Sequence, residues 1–271
     1  MREEEYIGKC EVLQQLMKRY TKENVVVAFS GGADSSLLLK LAVLYAGQSK
    51  KKVYAITADT QLHPVQDLQI ARQVSEEAGA IHIVLEICGL EQTGIYNNPI
   101  DRCYRCKQYI FGKIKEQAVE LEAAFVLEGT NMDDMQAYRP GIKAVEELGV
   151  KSPLREAGFT KEEVRRLAGE YGISVARRPS TPCLATRFPY GSSFDKEKLQ
   201  KVEQGENYLR SLGFYNVRLR VHGEIARLEV DAAEMDRLFD RRTEITEYLK
   251  NLGYRYITAD LEGFRSGSMD R

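Results

Sequence analysis

What the sequence lacks narrows its class before any motif is read. Positive and negative side chains nearly cancel, 39 Lys and Arg against 40 Asp and Glu, for a formal net charge of −1. Without a long-range field, nucleic acid is not expected as a partner. No run approaches the ~20 apolar residues that span a bilayer, and Met1-Arg2-Glu3-Glu4-Glu5 carries no apolar signal core. The expected location is the cytoplasm, with no membrane partner. Cysteine is scarce, at Cys10, Cys88, Cys103, Cys106 and Cys183, and in a reducing compartment paired thiols read as metal or redox ligands rather than disulfide staples. The GxxxxGK[ST] spacing is missing as well, and with it the lysine of the usual γ-phosphate transfer machinery.

What is present points to a soluble globular chain of two domains, since 271 residues with 43% hydrophobic and 29% charged side chains leave ample volume for a core. The stretch that organises it is Ser30-Gly31-Gly32-Ala33-Asp34-Ser35-Ser36, between the apolar run Val25-Val26-Val27-Ala28-Phe29 and a leucine-rich segment. This reads as strand, tight turn and helix. Two glycines let the backbone approach a ligand, and the first-turn amides of the following helix have no partner within it, so the turn is an anion socket. Ser and Asp also cap ordinary helices. Three hydroxyls and two glycines in seven residues exceed what one cap requires. Pyrophosphate is the expected guest, and the stretch resembles the SGGxDS signature of the PP-loop ATP pyrophosphatases.

Strand-like runs at 52–59, 82–87 and 125–131 alternate with helical spacing at 5–20, from Pro64 to Gly79 and from Cys103 to Leu121. The expectation is an α/β fold with a parallel, doubly wound, Rossmann-like sheet whose ligands sit beyond the strands' C-terminal ends. Ser30, Asp59, Glu128 and Asn131 fall there; Asp59 is counted with the ATP-binding loop, and Glu128 is a candidate metal ligand or acid–base group, against the plainer reading of a strand-end surface carboxylate. Residues 132–159 read as mostly loop with a short helix from Ile142 to Leu148, and Thr160 with Glu163 opens a capped helix to Tyr171. Three prolines within 179–191 exclude regular structure, and the domain junction is placed there. The expected domains are 1–178 and a smaller α+β unit at 179–271, with a helix at 196–212, strands at 216–222, 225–230 and 254–261, a helix at 232–250, and Cys183 in the junction loop.

Cys103 and Cys106 stand three apart, and Cys183 is the third of a candidate trio. A redox pair, a zinc site and an iron–sulfur cluster with one open iron all fit thiols, while burial as small hydrophobes suits Cys10 and Cys88. Arg102, Arg105, Lys107, Arg177, Arg178 and Arg187 flank the trio in sequence. Cations stabilise thiolates and would offset a negative cluster, so electrostatics favours the third option; the same cations could hold a phosphate or simply form a solvated face.

Together with the phosphate loop, the segments Glu128-Gly129-Thr130-Asn131, Cys183-Leu184-Ala185-Thr186-Arg187-Phe188-Pro189-Tyr190-Gly191 and Asp260-Leu261-Glu262-Gly263-Phe264-Arg265-Ser266-Gly267-Ser268 make the chain resemble the LarE family over nearly its whole length. The resemblance implies an ATP- and Mg2+-dependent sulfur transferase that adenylates a carboxylate of a pyridinium-3,5-biscarboxylic acid mononucleotide, releases pyrophosphate and replaces oxygen by sulfur. One branch of the family spends the sulfur of a single cysteine at the position of Cys183; the other holds a [4Fe-4S] cluster on three cysteines whose open iron carries sulfide. Cys103, Cys106 and Cys183 resemble the second. The implied roles are pyrophosphate binding for Gly31, Gly32, Ser35 and Ser36, with Ser30 and Asp34 orienting phosphate or magnesium. An anionic mononucleotide needs a further cationic site, for which Arg187, Arg218, Arg220, Arg227 and Arg265 are candidates, with Glu206, Glu224 and Asp260 as their partners; surface ion pairing is the bland alternative for each arginine. A sulfide donor and a homo-oligomer complete the expected partners. A tRNA-thiolating PP-loop enzyme is the competing function.

Overall fold

The computed structural model describes residues 3–60, 62–87, 93–135, 140–179, 181–265 and 268–269; Cys88, Ser180, Ser266 and Gly267, which enter the sequence reading, lie outside them. The chain divides into two compact units. One comprises residues 1–60, 65–94 and 101–181, the other residues 61–64, 95–100 and 182–271.

In the first unit four strands, β1 (Asn24–Ala28), β2 (Val53–Asp59), β3 (Ile81–Glu86) and β4 (Ala123–Leu127), form one sheet in the order β3-β2-β1-β4. All three pairings are parallel. β-Branched residues fill β1, where pleating sends alternate side chains to opposite faces. Val25 and Val27 join a core with α1 (Glu3–Tyr20), α2 (Ala33–Ser49) and α7 (Lys161–Glu170), whereas Val26 joins Tyr54 and Ile56 against Phe111, Ile114 and Ala118 of α4 (Arg102–Glu120). Both faces are therefore covered, as a parallel sheet requires. The chain runs outward from β1 through β2 to β3, with α3 (Val65–Ala78) between them, then returns to the far side of β1 as β4. This puts the topological switch point between β1 and β4, where such sheets bind ligands.

Two short helices, α5 (Gly141–Glu147) and α6 (Pro153–Glu156), follow β4, and a parallel bridge between Leu127 and Lys151 extends its edge. The strand is shorter than expected: Glu128 to Asn131 leave it because their side chains bond within the following turn rather than packing on the sheet. The capping box at Thr160 is present, its hydroxyl receiving the Glu163 amide while the Glu163 carboxylate receives the Thr160 amide. Glu163 also takes Lys9 of α1, at 2.9 Å.

In the second unit β5 (Val217–His222) pairs antiparallel with β6 (Ile225–Val230), which pairs parallel with β7 (Tyr256–Ala259). Helix α8 (Lys196–Ser211) packs on this sheet through Gly205, where an added Cβ would stand 2.5 Å from Leu219. The single helix expected at 232–250 is instead a 3-10 turn, α9 (Met235–Asp240) and α10 (Arg242–Asn251), broken at Arg241. No described helix is long and apolar enough to cross a membrane.

Thr160→Ala removes the cap of α7 and is expected to lower unfolding free energy by about 1 kcal/mol, read as an earlier urea midpoint at unchanged slope. An unchanged midpoint would show that Lys9 and Glu163 hold the helix start without it.

Candidate functional site

The loop after β1 and the first turn of α2 make up the candidate anion site. Gly31 adopts φ +69°, and a Cβ there would meet the backbone of Ala71 at 3.0 Å, so conformation and space both require glycine. No side chain caps α2, whose N-cap is Gly32. Its first-turn amides and positive dipole end thus face the loop uncapped. Ser35 Oγ instead organises the loop, standing 3.2 Å from Ser30 Oγ, receiving the Ser30 amide at 3.3 Å and donating to Gly32 O at 3.2 Å. Ser36 Oγ is buried without a hydrogen-bond partner among the described residues. Arg178 reaches the loop from elsewhere, donating to Gly31 O at 3.4 Å and pairing with Asp67 at 2.6 Å. Sequence proximity had placed this cation beside the cysteines.

The end of β4 closes on the same turn. An added Cβ at Gly129 would lie 2.9 Å from Asp34 Cβ and 3.1 Å from the Ser35 amide nitrogen. Asp34 Oδ1 receives Asn131 Nδ2 at 3.1 Å, and Oδ2 pairs with the Lys161 ammonium. Asn131 is itself fixed, its Oδ1 receiving the amides of Asp133 at 3.0 Å and Asp134 at 3.3 Å. Glu128 is buried, its carboxylate receiving the Thr130 amide at 3.1 Å, the Thr130 hydroxyl at 2.7 Å and the Ser152 hydroxyl. The plain surface carboxylate is thereby excluded. Asp59 ends β2, its carbonyl taking the Ile87 amide at 2.9 Å. Lys161 and Ser152 were missed in the sequence: Lys161 follows a cap in a later helix, and no spacing ties it to a carboxylate 127 positions earlier.

Cys103 and Cys106 lie in the first turns of α4, where a three-residue separation puts both on one face. Cys103 is exposed and Cys106 half-buried. Arg105 is engaged by Asp101 at 2.8 Å and Lys107 lies over the Phe111 ring. Cys183 belongs to the second unit, and among the described residues no group of three or more His, Cys, Asp or Glu is gathered that could hold a metal ion.

In the second unit the candidate arginines are sorted by their carboxylates. Arg187, a candidate for the substrate's phosphate, and Glu206, an expected carboxylate partner, are fully buried and bonded to each other in a fork, Nε to Oε1 at 2.7 Å and an Nη to Oε2 at 3.0 Å. Glu206 is thus one of the carboxylates expected to partner these arginines, and the pair is enclosed. Burial alone would raise the Glu206 carboxyl, but the Arg187 charge and hydrogen bonds override it and hold it below the ordinary range. Arg220 and Arg227 share Glu229, at 2.8 and 3.0 Å, a partner absent from the sequence reading, and Asp260 takes Arg227 and Arg265, each at 3.5 Å. Glu224 goes to Arg255 instead. Arg218 alone of this set has no carboxylate paired with it among the described residues. It donates to Val217 O at 2.8 Å and lies over the Phe264 ring at 4.9 Å. Burial, then the neighbouring Arg187 charge, pulls it down to about 10.

A doubly wound parallel sheet with open amides after β1 and a glycine-tight turn after β4 defines a PP-loop ATP-binding enzyme, and residues 9–136 match a PP-loop domain family. The pyridinium-3,5-bisthiocarboxylic acid mononucleotide synthase of Lactiplantibacillus plantarum is 38% identical over 248 residues, covering 92% of this chain and 89% of that protein. The uncharacterized protein slr1717 of Synechocystis is 35% identical over 97% of both chains. A tRNA-specific 2-thiouridylase MnmA of Ruegeria sp. is more distant, 24% identical over 70% of this chain and 59% of its own length. The chain belongs to the LarE family of ATP-dependent sulfurtransferases.

Gly129→Ala would drive a methyl group into the first turn of α2 and is expected to weaken ATP binding at least ~10-fold while leaving the fold intact, since the clash is confined to one turn. Isothermal titration with ATP and Mg2+ reads it; wild-type affinity would mean that β4 does not set the loop.

Proposed function

We propose that this chain adenylates a carboxylate of pyridinium-3,5-biscarboxylic acid mononucleotide with ATP, releases pyrophosphate and exchanges the activated oxygen for sulfur. The supporting observation is the match to the Lactiplantibacillus synthase along 92% of the chain, joined to an uncapped helix start that suits pyrophosphate. A carboxylate oxygen is a poor leaving group; transfer of AMP onto it makes an acyl phosphate whose carbon accepts sulfide while AMP departs. Gly31, Gly32, Ser35 and Ser36 hold the departing pyrophosphate, and Ser30 and Asp59 complete the nucleotide contacts. Asp34 is the carboxylate for magnesium, which would neutralise phosphate charge when bound. Lys161, now on that carboxylate, is a cation available to the phosphates. Glu128 acts as the acid–base group by exchanging a Thr130 or Ser152 donor for substrate. Arg218 and Arg265 receive the substrate's phosphate, with Arg218 the strongest candidate because no carboxylate is paired with it among the described residues.

For the sulfur, Cys103, Cys106 and Cys183 are the proposed ligands of a [4Fe-4S] cluster. Soft thiolates suit iron–sulfur centres, and two of the three already share a helix face. Such a cluster, when bound, would carry the sulfide at its open iron. A second reading keeps Cys183 as sole donor, spent from its own side chain with dehydroalanine left behind; it needs no thiol besides the one that the second unit carries. A homo-oligomer in the cytoplasm, supplied by a separate sulfide donor, completes the proposal.

Anaerobic iron and sulfide assays on the wild type and on Cys103→Ser, Cys106→Ser and Cys183→Ser separate the two readings. The cluster reading expects a brown protein whose chromophore and sulfur transfer are lost in each variant while ATP–pyrophosphate exchange with the mononucleotide persists. A colourless wild type in which only Cys183→Ser loses transfer would establish the sacrificial reading, and no mononucleotide-dependent exchange in any of them would overturn the function.

A further inference from the structure

Cys183 opens a four-residue 3-10 turn (Leu184–Arg187), and the backbone around it is held by buried charges. Its carbonyl oxygen receives the Thr186 amide at 3.0 Å, the Thr186 hydroxyl at 2.8 Å and Arg187 Nη1 at 3.4 Å. The same Nη1 donates to Pro182 O at 3.0 Å and to Thr186 Oγ1 at 2.9 Å. From the other end of the turn Arg220 Nη1 donates to Thr186 O at 2.9 Å. Asn98, fully buried at φ +45°, donates from Nδ2 to Phe188 O and Pro189 O, both at 2.9 Å. Every one of these groups belongs to the second unit.

We propose that Arg187 with Glu206, seconded by Arg220 with Glu229, are positioning residues that fix the Cys183 backbone for sulfur transfer. The inference rests on the sulfur-bearing role proposed for Cys183. Arg187, Glu206, Arg220 and Glu229 are 0%, 1%, 5% and 0% exposed. Burying a guanidinium and a carboxylate costs several kcal/mol per ion, and apolar replacements of such pairs are often neutral or stabilising, so stability alone is a poor account of two adjacent buried pairs. A guanidinium is the side chain that can fork onto a carboxylate with two nitrogens and still send the third to backbone oxygens. Lysine cannot span both. Glu206 neutralises the charge of Arg187 at the site, which leaves geometry as its effect on Cys183. Glu206 Oε1 also receives the Leu219 amide at 3.1 Å, tying the turn to β5.

The test uses the full chain with Arg187→Lys and with the double variant Arg187→Met, Glu206→Leu. Hydrogen exchange at the Thr186 amide is expected to rise at least ~10-fold while exchange in the first unit stays unchanged. Single-turnover sulfur transfer at saturating mononucleotide is expected to fall at least ~10-fold, with the half-saturating concentration within about twofold of wild type. Wild-type exchange and transfer in both variants would overturn the proposal. So would a raised half-saturating concentration with the Thr186 amide still protected, which would make Arg187 a substrate contact. If both variants fail to fold, Glu206→Gln, which keeps an acceptor for Leu219, decides on the same readouts. A wild type that forms no thiocarboxylate refutes the sulfur-transfer reading itself, and amide exchange then decides alone whether the ion pairs anchor the turn.

Discussion

The absence of a side chain at residue 129 is the constraint on which the nucleotide site depends. Two adjacent parallel strands end at the switch point, and the turn after β4 comes so close to the first turn of α2 that even a methyl group would meet Asp34 Cβ at 2.9 Å. From that approach the rest follows. Asn131 can reach Asp34, Asp34 can engage Lys161, and Glu128 turns inward to Thr130 and Ser152 rather than out to water. No side chain caps α2 because its N-cap is Gly32, while the hydroxyls of Ser30 and Ser35 are engaged with each other and with Gly32.

The second unit solves a different problem with different means. Three of its arginines, Arg187, Arg218 and Arg220, are buried, and Glu206, Glu229 and Asp260 offset much of the charge gathered there. Glu206 serves Arg187 and Arg210; Glu229 serves Arg220 and Arg227 and also receives Ser268 Oγ at 2.7 Å. Rigid charge pairing is suited to holding a proline-rich segment that has few amides to donate into regular structure.

The alternation of apolar runs with helical spacing made the first unit legible in the sequence, because β-branched strands and a capping box are local signals. The Thr160–Glu163 cap is present as the pattern implied. Helix α6 escaped because four residues are too few to show a period, although Pro153 at its start is a helix-opening signal. The break at Arg241 escaped for the opposite reason, since helical spacing runs through it while the backbone does not. At the sites, residue types were legible and pairings were not. Glu206 was legible as a partner for the arginines, but no local signal assigns it to Arg187, nineteen positions earlier, or gives Arg220 and Arg227 to Glu229. Lys161 and Arg178 carry no motif at all; only the fold delivers them to Asp34 and Gly31.

Arg218 sharpens the distinction between charges that build and charges that bind. In register it stands opposite Glu229, yet that carboxylate is drawn to Arg220 and Arg227, leaving Arg218 a backbone carbonyl and an aromatic face. Burial, then the neighbouring Arg187 charge, pulls its pKa down to about 10, with Glu206 acting the other way. A bound anion would favour the charged guanidinium. A phosphate on the proposed mononucleotide does so with two or more acceptors in the geometry a guanidinium prefers, whereas a neutral nucleoside would not. Under the proposed function, discrimination for a phosphorylated substrate would rest on Arg218, the one guanidinium of this set with no carboxylate paired to it among the described residues.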